Sequence, residues 1–237
     1  MEPRDIPVLF KWALGSVETS GGGPYTHEFK PVDQLKSFTA IIGAEGTYRR
    51  LSGCLIDRLQ LESALDYLTG SAEILAAREE RDTEFTPSPD ISMLPPFAFH
   101  QASLTLGGSE ASAKLRAFRL RIDNNIPVDH LYGFGERYPR RIVVGGRTIE
   151  AQLELAFTDT AEYEAFLAGE ELSLNLQFSD GSNSLAIHLP RCLYRSDVAP
   201  HLDRREPFTL TAPLQVLHDP NAGYEVKITV VNEEASY

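Results

Sequence analysis

Apolar and polar side chains alternate along much of this chain, and period two is its dominant rhythm. From Arg147 to Ala156, Ile149, Ala151, Leu153 and Leu155 fall on one face while Thr148, Glu150, Gln152 and Glu154 fall on the other. That spacing predicts a half-buried strand with one wet side. Leu172, Leu174, Leu176 and Phe178 alternate in the same way with Ser173, Asn175 and Gln177. The turn-forming run Ser179-Asp180-Gly181-Ser182-Asn183 follows, and Leu185, Ile187 and Leu189 resume the pattern, which predicts a hairpin. Near the C-terminus, Phe208, Leu210, Ala212, Leu214 and Val216 alternate, as do Tyr224, Val226, Ile228 and Val230. The turn-rich stretch from His218 to Gly223 between them predicts a second hairpin. Ala102–Leu106 and Leu115–Ile122 flank Gly107-Gly108-Ser109-Glu110, a third hairpin signal, and Arg119 and Arg121 lie opposite Phe118, Leu120 and Ile122. Ser37–Gly43 and Leu51–Glu62 also read as strands. In the latter, Leu55, Leu59 and Leu61 oppose Arg58, Gln60 and Glu62, and Asp57 spoils the alternation.

Helical signals are fewer. Asp159 followed by Glu162 has the form of a capping box, and Tyr163, Phe166 and Leu167 recur at helical spacing before Gly169. A helix this short needs a sheet to lean on. Ser71–Arg81, rich in Ala and Glu but poorly amphipathic, is a weaker helix candidate. Pro87, Pro89, Pro95 and Pro96 divide the chain. The expected organisation is one domain over residues 1–237, with a shorter first half from about 8 to 82, a proline-rich connection over 83–96 and a longer second half over 97–237. Arg49-Arg50 with Gly53, and Arg140-Arg141 with Gly145-Gly146, hint at a duplication of the two halves, although chance alone also produces such a match.

The formal net charge is −12, with 42% hydrophobic and 24% charged residues, the balance of a globular protein. A free-standing nucleic-acid binder needs a basic footprint, and this chain has none. An acidic wall would instead repel DNA, although many globular proteins are equally acidic. Cys54 and Cys192 have no motif spacing, so two free thiols in a reducing compartment are favoured over a disulfide. The acids and prolines of Met1–Asp5 precede no apolar run, so neither a signal peptide nor a membrane anchor is expected.

Catalytic signatures are missing. There is no HExxH, GxSxG or GxxxxGK[ST], and Gly133-Phe134-Gly135 runs into Tyr138-Pro139 where a phosphate-binding helix would begin. Asp197, His201 and Asp203 cluster in sequence without a metal-ligand spacing. Glu150 and Glu154 share a strand face, a placement open to a glycosidase carboxylate pair, but no group of aromatic residues for sugar stacking accompanies them, Trp12 being the only tryptophan. No catalytic, cofactor-binding or metal residue is predicted, and the chain is not expected to be an enzyme.

Several segments, taken in order, resemble the tail tube proteins of long-tailed phages. They are Trp12-Ala13-Leu14-Gly15 and Ser37-Phe38-Thr39; the strand Leu120–Ile126 with its Asn pair; Tyr132–Arg141; Val144–Ile149 and the long alternating strand; the helix after Phe157-Thr158-Asp159; Leu189-Pro190-Arg191; and Asp219–Gly223 before the last strand. The resemblance implies a mainly β fold, a β-sandwich or β-barrel with one short flanking helix. It implies a non-enzymatic subunit of the virion tail, made in the host cytoplasm, that forms hexameric rings stacked into a hollow acidic conduit for DNA. Its partners would be itself, the tape-measure protein, and tail terminator or baseplate proteins, with viral DNA passing unbound. No functional residue carries over, because the family has no catalytic site. The polar strand faces then become candidates for the lumen: Glu150, Gln152, Glu154, Asn175 and Gln177, with Arg58, Gln60 and Glu62. Arg140, Arg141, Arg204 and Arg205 are candidates for charge pairs between subunits. A distal tail or baseplate adaptor of related fold and, less favoured, a carbohydrate-active β-sandwich are the alternatives.

Overall fold

The computed structural model describes residues 1–44, 46–82, 85–88, 93–127, 133–139, 143–158, 160–195, 200–201 and 209–237. Among them the strands are β1 (Glu18–Ser20), β2 (Tyr25–Phe29), β3 (Phe38–Ala44), β4 (Thr47–Ala64), β5 (Thr69–Leu75), β6 (Arg78–Asp82), β7 (Ala102–Leu106) and β8 (Ser109–Glu110). The chain continues through β9 (Leu115–Asp123), β10 (Thr148–Ala156), β11 (Glu171–Ser179), β12 (Ser184–Tyr194), β13 (Pro200–His201), β14 (Thr209–Val216) and β15 (Lys227–Asn232). Two α-helices accompany them, α1 (Ile6–Leu14) and α2 (Ala161–Ala168).

Among the described residues all the strand pairs are antiparallel, and β12 is where the ladder folds over. Its first residues, Ser184–His188, pair β15, whereas Cys192–Tyr194 pair β14. One wing runs β8-β7-β11-β12-β15-β2-β1 and the other β14-β10-β9-β4 and then β5. Their inner faces share one core, with Leu104, Leu174, Leu176 and Ile187 from the first wing and Leu59, Leu61, Leu120, Leu153 and Leu214 from the second. This is a mainly β fold of the sandwich kind, one of the two architectures that the resemblance implies. The predicted faces hold on β10 and β11: Ile149, Ala151, Leu153 and Leu155 are buried, as are Leu174, Leu176 and Phe178.

Several strand expectations change in the structure. The C-terminal strands β14 and β15 form no hairpin, because β12 lies between them and pairs both. The turn after β14 nevertheless closes locally, through an isolated bridge between Asp219 and Tyr224. β7 pairs β8 and β11, while β9 pairs β4 and β10, so Gly107-Gly108 turns the chain only into the two-residue β8. Ser71–Arg81 is not helical: β5 and β6 flank β4 there, and ladder pairing overrides the helix propensity of Ala and Glu. The ambiguity at Asp57 is a β-bulge between Ile56 and Arg58, which resets the facing of β4.

The predicted flanking helix is α2, but its N-cap is Thr160, and Asp159 lies outside the described residues. Glu162 does not cap it; its carboxylate takes Lys114 Nζ at 2.8 Å. Of the expected apolar face only Phe166 packs against the core, while Leu167 stays 64% exposed. Helix α1 is an addition. Ile6, Phe10, Ala13 and Leu14 recur at helical spacing and are all buried. Pro7 sits in its first turn, and Gly15 ends it at φ +94, where a Cβ would come within 2.5 Å of Val32. Phe10 meets Phe29 of β2 edge-on at 5.8 Å, so α1 joins the core beside β2.

Candidate assembly face

β4, β9 and β10 lie side by side with their apolar residues turned inward, which leaves one continuous polar face. Register sets its composition. Arg58 stands opposite Asp123, Gln60 opposite Arg121, and Glu62 opposite Arg119. On the next pair, Arg121 stands opposite Glu150 and Arg119 opposite Gln152. Beyond β10, Glu150 faces Gln215 and Glu154 faces Thr211 of β14. Residues directly opposite on one face of a sheet lie within reach of each other.

The charges on this face are paired. Arg58 Nε donates to Asp123 Oδ1 at 2.6 Å and Nη1 to Glu73 Oε2 at 2.9 Å. Arg121 Nε lies 2.6 Å from Asp123 Oδ2, an ion pair whose angle is not that of a hydrogen bond. Asp123 is therefore wedged beneath two guanidinium groups and is only 8% exposed. Its hydrogen bond, and then its charge, raise the Arg58 guanidinium above its ordinary value. Arg119 pairs with Glu62, and Gln60 Nε2 donates to the same carboxylate at 3.0 Å. Arg195, just beyond β12, pairs with Glu150. Arg119–Glu62 and Arg195–Glu150 are exposed on both sides and screened by solvent, so their importance lies in the surface they make rather than in stability.

Six of the predicted lumen residues thus come together: Arg58, Gln60, Glu62, Glu150, Gln152 and Glu154. Asn175 and Gln177 do not join them. They lie on the outer face of the other wing, where Asn175 stands opposite His188 and Thr105 and Gln177 opposite Ala186 and Ser103. Arg140, Arg141, Arg204 and Arg205 lie outside the described residues, as do Asp197 and Asp203. The sequence reading missed the partners Glu73, Asp123 and Arg195. A signal was available for Asp123, which continues the polar alternation of Arg119 and Arg121. Arg195 carries no such signal, because only the β12–β14 corner brings it to Glu150.

A second feature is a three-stranded arm. The N-terminal half of β4 leaves the sandwich and pairs β3 on one side and β6 on the other. Most of its residues are exposed to some degree on both faces. Arg50 clamps Asp82 through Nε at 3.0 Å and Nη2 at 2.7 Å, Phe85 N donates to the same carboxylate at 3.0 Å, and Tyr48 and Phe85 meet edge-on at 5.1 Å. At the base of the arm, buried Asn124 donates to Ala13 O at 3.0 Å and to Ile56 O at 2.8 Å, and its own oxygen accepts Arg147 Nε at 2.9 Å. Burial lowers the Arg147 guanidinium below its ordinary value, opposed by the charges of Glu225 and Asp33.

Among the described residues no three His, Cys, Asp or Glu side chains come together to hold a metal, and Cys54 and Cys192 are both buried and free. No described helix is long and apolar enough to cross a membrane. Glu150, the first of the two carboxylates with glycosidase-like placement, is taken up by Arg195. What the molecule offers is ordered polar sheet surface and open strand edges: among the described residues β1, β3, β5 and β6 each pair on one side only. No curated protein matches the chain. The family model described as phage tail tube protein matches residues 3–222 of the 237, and the chain belongs to that family.

Proposed function

We propose that this structural component of the phage tail closes into hexameric rings, which stack helically into a hollow conduit for viral DNA. The family match over residues 3–222 carries the reading. The geometry supports it. A head-to-tail ring joins strand edges that otherwise invite aggregation, and a rotation between rings turns closed assembly into an open tube. The bore-facing surface in this proposal is the polar face of β4, β9 and β10, with Arg58, Gln60, Glu62, Glu150, Gln152 and Glu154. Asn175 and Gln177 then face outward. Five carboxylates (Glu62, Glu73, Asp123, Glu150 and Glu154) against four arginines (Arg58, Arg119, Arg121 and Arg195) leave this wall slightly acidic, in keeping with passage without binding.

The arm reaches toward the neighbouring ring in this scheme, and Arg140, Arg141, Arg204 and Arg205 pair with acidic loops of adjacent copies. Residues 1–237 act as one domain, a reading favoured by the pairing of β2 with β15 and of β4 with β9 across the two halves. The tape-measure protein inside, and terminator or baseplate proteins at the ends, complete the partners. Negative-stain microscopy of the purified protein tests the proposal. Long tubes with a central hole are expected. Single rings that never stack would favour a tail-end adaptor, and particles that remain monomers at high concentration would overturn the assembly.

A further inference from the structure

The arginines of the polar face pose a problem for a surface past which DNA must slide. A guanidinium fork is the side chain best shaped to grip phosphate. Arg58, Arg119, Arg121 and Arg195 stand on this face, and each is in contact with a carboxylate of the same face. The strand backbone fixes two of these pairings: Arg58 faces Asp123 and Arg119 faces Glu62 directly across the β4–β9 ladder. Asp123 engages two arginines at once.

We propose that Glu62, Asp123 and Glu150 are guard residues: each carboxylate lies against a nitrogen of a neighbouring guanidinium, so that the arginines balance the charge of the wall while their pull on phosphate is offset. The biological meaning rests on this face lining the bore. Its physical logic is that six wholly acidic faces around one axis would repel one another, whereas six faces of unguarded arginines would hold the DNA backbone. Paired charges avoid both outcomes.

The test uses the full-length protein and a fluorescent duplex DNA in salt titrations. Glu62→Gln/Glu150→Gln keeps the shape of both side chains and releases Arg119 and Arg195. Its DNA affinity at low salt is expected to rise at least about tenfold over the unmodified chain, with log K falling against log salt at a slope of about −2 per protomer for two new phosphate contacts. Glu170→Gln/Glu233→Gln makes the same change in net charge on exposed residues elsewhere and is expected to show no gain. Adding Arg119→Gln and Arg195→Gln to the first variant should abolish the gain. Equal gains in both double variants, no gain in either, or a gain that survives loss of the two arginines would each overturn the proposal. The single variant Glu62→Gln, with a smaller expected rise, keeps the test decisive if the double variant misfolds. Microscopy of the same preparations separates the two ideas: tubes without a gain in affinity sink the guard role alone, and a gain without tubes sinks only the tube.

Discussion

The two halves of β4 make the same kind of ladder in different surroundings. From Arg58 to Ala64 the strand lies between β5 and β9 and sends Leu59 and Leu61 into the core, both fully buried. From Thr47 to Ser52 it lies between β3 and β6 and buries no residue fully. Ladder hydrogen bonds are made in both, yet each is worth only about 1 kcal/mol net, because the unfolded chain bonds to water instead. The apolar inner face is what anchors the body half. The arm half is held by the Arg50–Asp82 clamp and by Tyr48 on Phe85. A strand so continuous in sequence and so divided in burial carries a packed body at one end and an exposed arm at the other.

Substitutions at matched positions test that contrast most strongly. Leu61→Ala, in the body, is expected to cost about 2–5 kcal/mol in urea unfolding, the range for emptying a buried Leu site. Leu51→Ala, in the arm, should cost less than about 1 kcal/mol. Equal losses would erase the distinction. The joint between the regions comes next. Asn124→Ala should cost about 2–3 kcal/mol, because it strips Ala13 O, Ile56 O and Arg147 of a buried partner at once. Asp82→Ala is smaller, at about 1–2 kcal/mol, and local. It should accelerate hydrogen exchange in β6 and the first half of β4 while leaving the urea midpoint of the body unchanged. A shift of the global midpoint would mean that arm and body unfold as one.

The smallest expected effect belongs to the body alone and depends on pH. At the β11–β12 turn, partial burial favours protonated Asp180, but the amide and side chain of Asn183 and the amide of Ser182 outweigh it. They hold the carboxyl below its ordinary 3.8. The unfolded chain then takes up the proton first, so this contribution is complete above that value and is lost as pH falls through the folded one. Asp180→Ser should flatten the acid limb of stability measured between pH 5 and 2, by about the worth of one surface interaction. An unchanged limb would place the acid sensitivity elsewhere.

Much of this architecture was legible in the alternation. Ile149 to Leu155 and Leu174 to Phe178 announce both their strands and their buried faces, because a half-buried strand leaves no other pattern. Strand neighbours were harder to read. Turn chemistry at His218–Gly223 marks a reversal, but nothing local reveals that β12 intervenes between the two strands it joins. Local composition at Ser71–Arg81 favours a helix, and the decisive term, pairing along β4, comes from residues far away in sequence. Helix α1 is legible in the spacing of Ile6, Phe10, Ala13 and Leu14, but Pro3 and Pro7 with Asp5 give its start the composition of a loop. At the candidate face the outward residues of β4 and β10 were legible, whereas the partners that neutralise them, Glu73, Asp123 and Arg195, arrive through tertiary pairing.

The most direct measurement is a cryo-electron microscopy reconstruction of the assembled protein at a resolution that traces β4, β9 and β10. Stacked rings of six copies, with Gln152 and Glu154 turned toward the central axis and Asn175 toward the outside, are the predicted result. A tube in which the β11 face lines the channel, or a particle whose polar β4–β9–β10 face is covered by no neighbour and encloses no channel, would contradict it.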